Sequence, residues 1–257
     1  MRTVERHPHA RETFLSCGIW QQATLVMQHA GPRSLAPTLW VVERPFKLPI
    51  VRAEVGTRMT IIRLNDGNLF LHSPVKLESE LKRALNALGP VGAVVAPNRA
   101  HHLFVRDYIE SYPQARSYGA PGLPEKRPDL RLDATLGDGA PREWQGVIEQ
   151  QLFRGAPALN EVVFFHPSSR TVIFTDLIFN LPAEKSADAP MFFWLLGAPG
   201  HFGPHRLVRA RAIRHRTAAR RSVDTILRWD FDRVIMSHGD VLETGGREHI
   251  ASAFAFL

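Results

Sequence analysis

Histidine and carboxylate side chains recur in this sequence directly after short apolar runs. Pro97-Asn98-Arg99-Ala100-His101-His102 follows Val91 to Val95, Asp176 follows Val172 to Thr175, and His238 follows Val234 to Met236. In layered α/β proteins the residues just past the strand ends gather along one edge of the sheet, where ligands bind. Imidazole and carboxylate groups brought there from distant parts of the chain form an N/O donor set of the kind zinc takes, at about 2.0–2.2 Å. Iron or manganese suits the same donors. The chain holds 12 histidines, so a strand-end histidine is also explained as a hydrogen-bonded surface residue. Spacing alone leaves both readings open.

The elements that must position these residues follow from periodicity. Leu39 to Glu43 reads as a strand. Met59 to Leu64 and Asn68 to His72 are apolar runs split by Asn65-Asp66-Gly67, which predicts a β-hairpin. Leu77, Leu81, Leu85 and Leu88 recur at helical spacing up to Gly89-Pro90. Val91 to Val95 is wholly apolar and reads as a buried strand. A helix is predicted from His101 to about Tyr112, and a short strand over Ala115 to Tyr118. In the second half, Val147 to Phe153, Glu161 to His166 and Thr171 to Thr175 read as strands, the last two joined by a hairpin at Pro167-Ser168-Ser169. A polar loop over Ala183 to Pro190 and an Arg-rich helix over His205 to Trp229 come next. A final strand, Phe231 to Met236, and a helix after Gly245-Gly246 close the chain. This alternation predicts a layered α/β domain.

The 257 residues suffice for one large domain with a substantial core. Hydrophobic residues at 44% and charged residues at 22% are ordinary for a globular domain, which excludes wholesale disorder. No stretch approaches the roughly 18 consecutive apolar residues of a membrane span. The charged N-terminus and the interrupted apolar stretch Phe14 to Met27 do not read as a secretory signal. Cys17 is the only cysteine, which excludes an intrachain disulfide and a CxxC metal site and makes a cytoplasmic location the expectation. The net charge of +7 is concentrated in His205 to Trp229, which holds eight arginines. Such a stretch is either a solvated outer helix or a phosphate-binding face. Without an adjacent aromatic stacking platform the first reading is preferred, and nucleic acid is not the expected partner.

Taken in order, these residues resemble the metallo-β-lactamase superfamily, and more closely an uncharacterised branch of it. The resembling text is Met59-Thr60, Leu64, Asp66-Gly67, His72-Ser73-Pro74, Ala96-Pro97-Asn98, His101-His102, Glu161-Val162-Val163-Phe164, Ser169-Arg170-Thr171, Thr175 to Asn180 and Ser237-His238-Gly239-Asp240. The resemblance implies an αββα four-layer sandwich over residues 39–257, with residues 1–38 as an N-terminal extension. Laying the last position of the superfamily's His-x-His-x-Asp-His motif on His102 puts His101 on its Asp, Arg99 on its second His and Pro97 on its first. The superfamily's next histidine has no counterpart near Pro157 to Asn160, whereas its bridging aspartate matches Asp176 and its last histidine His238.

The resemblance therefore implies that the first of two metal sites is lost. It also implies that the second is kept by His101, His102, Asp176 and His238, which would hold one divalent ion, zinc foremost, with iron or manganese compatible. A guanidinium cannot ligate a metal, so Arg99 is expected to contact an anionic group of a small-molecule substrate. Asp176 is also the candidate to orient a water or accept its proton. Glu161 and His166 are candidate supports for the ligating side chains; a strand-edge carboxylate is the equal alternative for Glu161, and a hairpin residue at the far end of the sheet is the preferred reading for His166. The expected function is a mononuclear metal-dependent, hydrolase-like protein. The alternatives are a non-catalytic binding or scaffold protein on the same fold, or a nucleic-acid-binding protein that uses the Arg-rich helix.

Overall fold

A computed structural model describes residues 31–46, 56–182 and 200–257, together with Trp194 and Gly197. The proposed extension up to residue 30 and the loop Ala183 to Pro190 lie outside the described residues.

Seven strands form one sheet among the described residues, in the order β1 (Arg33–Ala36), β2 (Leu39–Arg44), β3 (Thr57–Arg63), β4 (Leu69–His72), β5 (Val91–Ala96), β6 (Arg116–Gly119) and β7 (Ala134–Thr135). The first four pair antiparallel, and from β4 onward pairing is parallel. Strand β1 lies inside the segment read from sequence as an extension, so the sheet begins before residue 39. The second sheet runs β13 (Arg233–Ile235), β10 (Thr171–Ile173), β9 (Val162–His166) and β8 (Glu149–Leu152). A two-stranded ribbon pairs β11 (Phe179–Leu181) with β12 (His201–Gly203).

Period-two alternation assigns every core strand two faces. Ile62, Phe70, Ala93 and Val95 of the first sheet meet Val162, Phe164, Ile173 and Ile235 of the second in a cluster between the sheets. Met59, Ile61, Leu71 and Val94 point the other way, onto Leu81 and Leu85 of helix α1 (Ser79–Leu88) and Val105 and Tyr108 of helix α2 (Val105–Ser111). Val163, Phe165, Val172 and Val234 pack outward against Ala219, Val223 and Ile226 of helix α4 (Arg216–Ile226) and Ile250 of helix α5 (Gly246–Ala253). A short helix α3 (Leu123–Lys126) follows β6. The layers are helix, sheet, sheet, helix: the αββα sandwich.

The hairpin at Asn65-Asp66-Gly67 forms as the sequence predicts. Gly67 adopts φ +85°, and Asp66 accepts the Asn68 amide at 2.9 Å. Two helices differ from expectation. Residues 101–104 form turns and α2 begins only at Val105. The Arg-rich stretch is divided into a π-helical turn, Val208–Ala212, and α4. The Gly155 carbonyl accepts the amides of both Arg214 and His215, so tertiary partners replace helical ones at the break.

Candidate metal centre

Strand register explains why distant residues meet. Strands β10 and β13 are parallel with Ile173 opposite Ile235, and Asp176 and His238 each lie three residues beyond that pair. Strand β9 runs antiparallel to β10, so Glu161, just before it, sits at the same edge. In the first sheet, β4 and β5 are parallel with His72 opposite Val95, so Ser73 and the turn at Asn98 leave from that edge too.

Three side chains converge there. His101, Asp176 and His238 each offer a ligand atom, and these atoms all lie within 4.8 Å of one another. The Nε2 atoms of His101 and His238 each approach Asp176 Oδ1 at 3.2 Å. The two Nε2 atoms are 3.3 Å apart. His238 Nδ1 donates to the Gly56 carbonyl at 2.8 Å, so its Nε2 carries the free lone pair in the neutral ring. His101 Nδ1 meets Ser73 Oγ at 2.7 Å. Ser73 reaches it from a left-handed backbone at φ +56°. A carboxylate oxygen and two imidazole nitrogens aimed at one another repel unless a cation or a proton lies among them. That is the test of fit for a metal ion, and these three donors meet it.

A buried polar frame fixes Asp176. Asn98 is 0% exposed. Its Oδ1 accepts the amides of Ala100 and His101, both at 2.8 Å, folding the turn that presents His101. Its Nδ2 donates to Asp176 Oδ2 at 2.8 Å and to Glu161 Oε2 at 3.1 Å. Glu161, also 0% exposed, accepts the backbone amides of Thr175, Asp176 and Leu177 at 2.7, 2.8 and 3.1 Å. Burial, seconded by the Asp176 charge, pushes the Glu161 carboxyl up to about 6. Burial also works against the charge of Asp176, yet His101 and His238 hold that carboxyl well below its ordinary range. Burial works against protonation of His101 too, and is outweighed chiefly by Asp176, so His101 is raised.

Of the residues expected from sequence, His101, Asp176 and His238 are brought together. Glu161 supports them through the backbone around Asp176 and through Asn98, rather than through an imidazole. His102 does not join them. Its Nδ1 lies 2.7 Å from Arg127 Nη1, and burial with the charges of Lys126 and Arg127 lowers its pKa to about 4. His166 takes the hairpin place preferred for it and does not support the cluster. It ends β9, roughly 16 Å of extended chain from Glu161, and its two ring nitrogens bond Ser169 Oγ at 2.7 Å and Ser168 Oγ at 3.0 Å. Arg99 turns to the Pro157 carbonyl at 3.2 Å, with its Nε against Gly122, and has no hydrogen bond to the cluster.

Sequence reasoning missed the roles of Asn98 and Ser73, and also His205. The His205 ring lies edge-on to Phe179 at 4.6 Å, and Phe179 stacks on His238 at 5.2 Å. Asn98 carried a signal, being an Asx residue after a strand-ending proline, a type that caps turns with its own carbonyl.

The sequence model described as "Domain of unknown function (DUF4336)" matches residues 37–191. No protein with a curated description matches the chain. Solved structures that resemble it include metallo-β-lactamases. The enzyme from Erythrobacter litoralis has a TM-score of 0.61 at 14% identity, covering 88% of this chain and 96% of its own. The one from Pontibacter korlensis has 0.58 at 13%, covering 88% and 99%. FIM-1 from Pseudomonas aeruginosa, in a mono-zinc form, has 0.57 at 12%, covering 88% and 94%. At these identities the likeness establishes the fold.

Proposed function

This chain belongs to the DUF4336 family and has the metallo-β-lactamase fold, and from these premises we propose that it is a mononuclear metal-dependent, hydrolase-like protein. His101, Asp176 and His238 hold the ion. The observation that carries this reading is the convergence of two imidazole Nε2 atoms on one carboxylate oxygen, each at 3.2 Å. Three protein ligands leave a position open, which is the arrangement of a catalytic rather than a structural zinc site. We read the first superfamily site as lost, with Pro97 and Arg99 standing where its histidines would be. The mono-zinc form of FIM-1 shows that a protein of this fold can be isolated with a single ion.

Zinc is the ion we favour, with iron or manganese compatible with the same donors. A bound divalent ion supplies Lewis-acid polarisation of a substrate oxygen and acidification of water. The residues do the rest. Asn98 and the Glu161-bound backbone hold Asp176 in place, and His101 and His238 keep it ionised. Ser73 and Gly56 hold the outer nitrogens of the two imidazoles, and the Gly56 carbonyl, an acceptor only, sets the His238 tautomer that leaves its Nε2 available. Asp176 is better suited to holding charge than to accepting a proton, because its carboxyl is held so far down. Arg99, one residue past Asn98, remains our candidate for gripping an anionic group of the substrate.

The test is metal analysis of protein purified without a histidine tag. About one equivalent is expected, with loss in Asp176→Ala and in His238→Ala. Less than about a tenth of an equivalent, unchanged by either substitution, overturns the reading. Metal-loaded protein that turns over no ester, thioester, lactam or phosphodiester would instead favour the non-catalytic binding protein on the same fold.

A further inference from the structure

Arg58 is a charged residue in a strand whose other side chains, up to Ile62, are buried, and it is itself only 5% exposed. A buried guanidinium needs partners for its charge and its N–H groups. Directly across the β2–β3 ladder is Glu43, whose Oε1 accepts Arg58 Nη2 at 2.7 Å and Nε at 3.0 Å. An ion pair tying β2 to β3 would be complete at that point. The remaining donors go elsewhere. Nη1 donates to the Met236 carbonyl and Nη2 to the Gly239 carbonyl at 2.6 Å. Those carbonyls belong to the second sheet's loop and bracket His238. Two residues before Arg58, the Gly56 carbonyl accepts His238 Nδ1. Residues 56–58 of the first sheet thus hold the His238 backbone on both sides and its ring at the outer nitrogen.

We propose that Arg58, charge-balanced by Glu43, is a positioning residue that sets the His238 imidazole for cation binding. The consequence for metal affinity rests on the reading of the cluster given above; the clamp itself does not. A planar fork is required, because it reaches two carbonyls and a carboxylate at once, whereas a lysine ammonium is a single point. Arg33 provides the control. It also bonds Glu43 Oε1, at 3.3 Å, but makes no hydrogen bond to the His238 loop among the described residues.

The experiment uses ¹⁵N-histidine NMR of the metal-free full chain and cobalt(II) titration read by its visible bands, on wild type, Arg58→Lys and Arg33→Ala. Wild type should show His238 as one Nδ1–H tautomer with a slowly exchanging proton. Arg58→Lys should lose that signal, weaken cobalt binding by about 10- to 100-fold and alter the bands, while Arg33→Ala stays within about threefold. Glu43→Asp keeps every charge and draws the guanidinium back from the carbonyls. It should shift both readouts the same way, and it serves if Arg58→Lys does not fold. Folded variants with wild-type His238 signals and cobalt affinity would reduce Arg58 to a strand-pairing ion pair and overturn the proposal. If wild type takes up no cobalt but the His238 tautomer still collapses in Arg58→Lys, the clamp stands and the metal reading falls. If neither is seen, both fall.

Discussion

The two oxygens of Asp176 do different work. Oδ1 faces both imidazoles, and Oδ2 is taken by Asn98. Asp176→Asn keeps the shape but removes the charge that both histidines share, so metal affinity should fall by about 100-fold or more in a chelator competition titration. His102→Ala should leave it within about threefold in the same titration. A large loss there would mean that the neighbouring imidazole swings inward. Glu161 meets three backbone amides and the Asn98 amide with two oxygens. Glu161→Gln turns a donor toward one or more of those donors, and should cost about 2–4 kcal/mol in urea unfolding. An unchanged midpoint would show that the frame is dispensable.

At the scale of elements, the loop after β13 is the most constrained piece of the centre. Gly239 has φ +89°, and a Cβ there would stand 1.9 Å from the Asn180 carbonyl oxygen. Asn180 in turn accepts the Asp240 amide at 2.8 Å, while its own amide donates to the His238 carbonyl at 3.3 Å. The close approach between this loop and β11 therefore tolerates glycine alone. Gly239→Ala should destabilise the fold by about 3 kcal/mol or more and displace His238. A variant with wild-type stability and metal content would refute that account. The same element-level logic was legible in the sequence where apolar runs end in polar turns, as at Val91 to Ala96 and Val234 to Met236. The ribbon β11–β12 was not legible, because its partners are other segments rather than its own periodicity.

Across the whole molecule, buried neutral histidines make stability depend on pH. His72 is 1% exposed, and neither ring nitrogen has a hydrogen-bond partner among the described residues. Burial, aided by His101, lowers it to about 3, and burial lowers His166 to about 4. The unfolded chain protonates both near pH 6.5. Their contribution is therefore complete above that pH and is lost as pH falls toward the folded values. For His72 alone the upper bound is about 5 kcal/mol. Glu161, raised to about 6, runs the other way over a narrower window. Urea unfolding at pH 7.5 and 5 should show wild type losing more stability than His72→Leu; equal losses would rule His72 out as the cause. Part of the arginine surplus is engaged at the surface: Arg209 and Arg216 lie over Phe256, and Arg220 pairs with Asp224.

Sequence by itself determined a layered α/β domain and the strand ends where polar turns gather, because period-two alternation and strand-ending polar turns are local properties; the four-layer arrangement came from the family resemblance. It also named three of the residues that meet there. It named both His101 and His102, adjacent in one turn, as ligands. Ser73 and Asp176 engage the first, while Arg127 engages the second, and all three come from other elements. The sequence also offered the far end of the sheet for His166, but could not show Arg58 reaching 178 residues ahead to the Met236 carbonyl. Those choices depend on which groups satisfy each buried nitrogen, and only the packing of the two sheets supplies those partners.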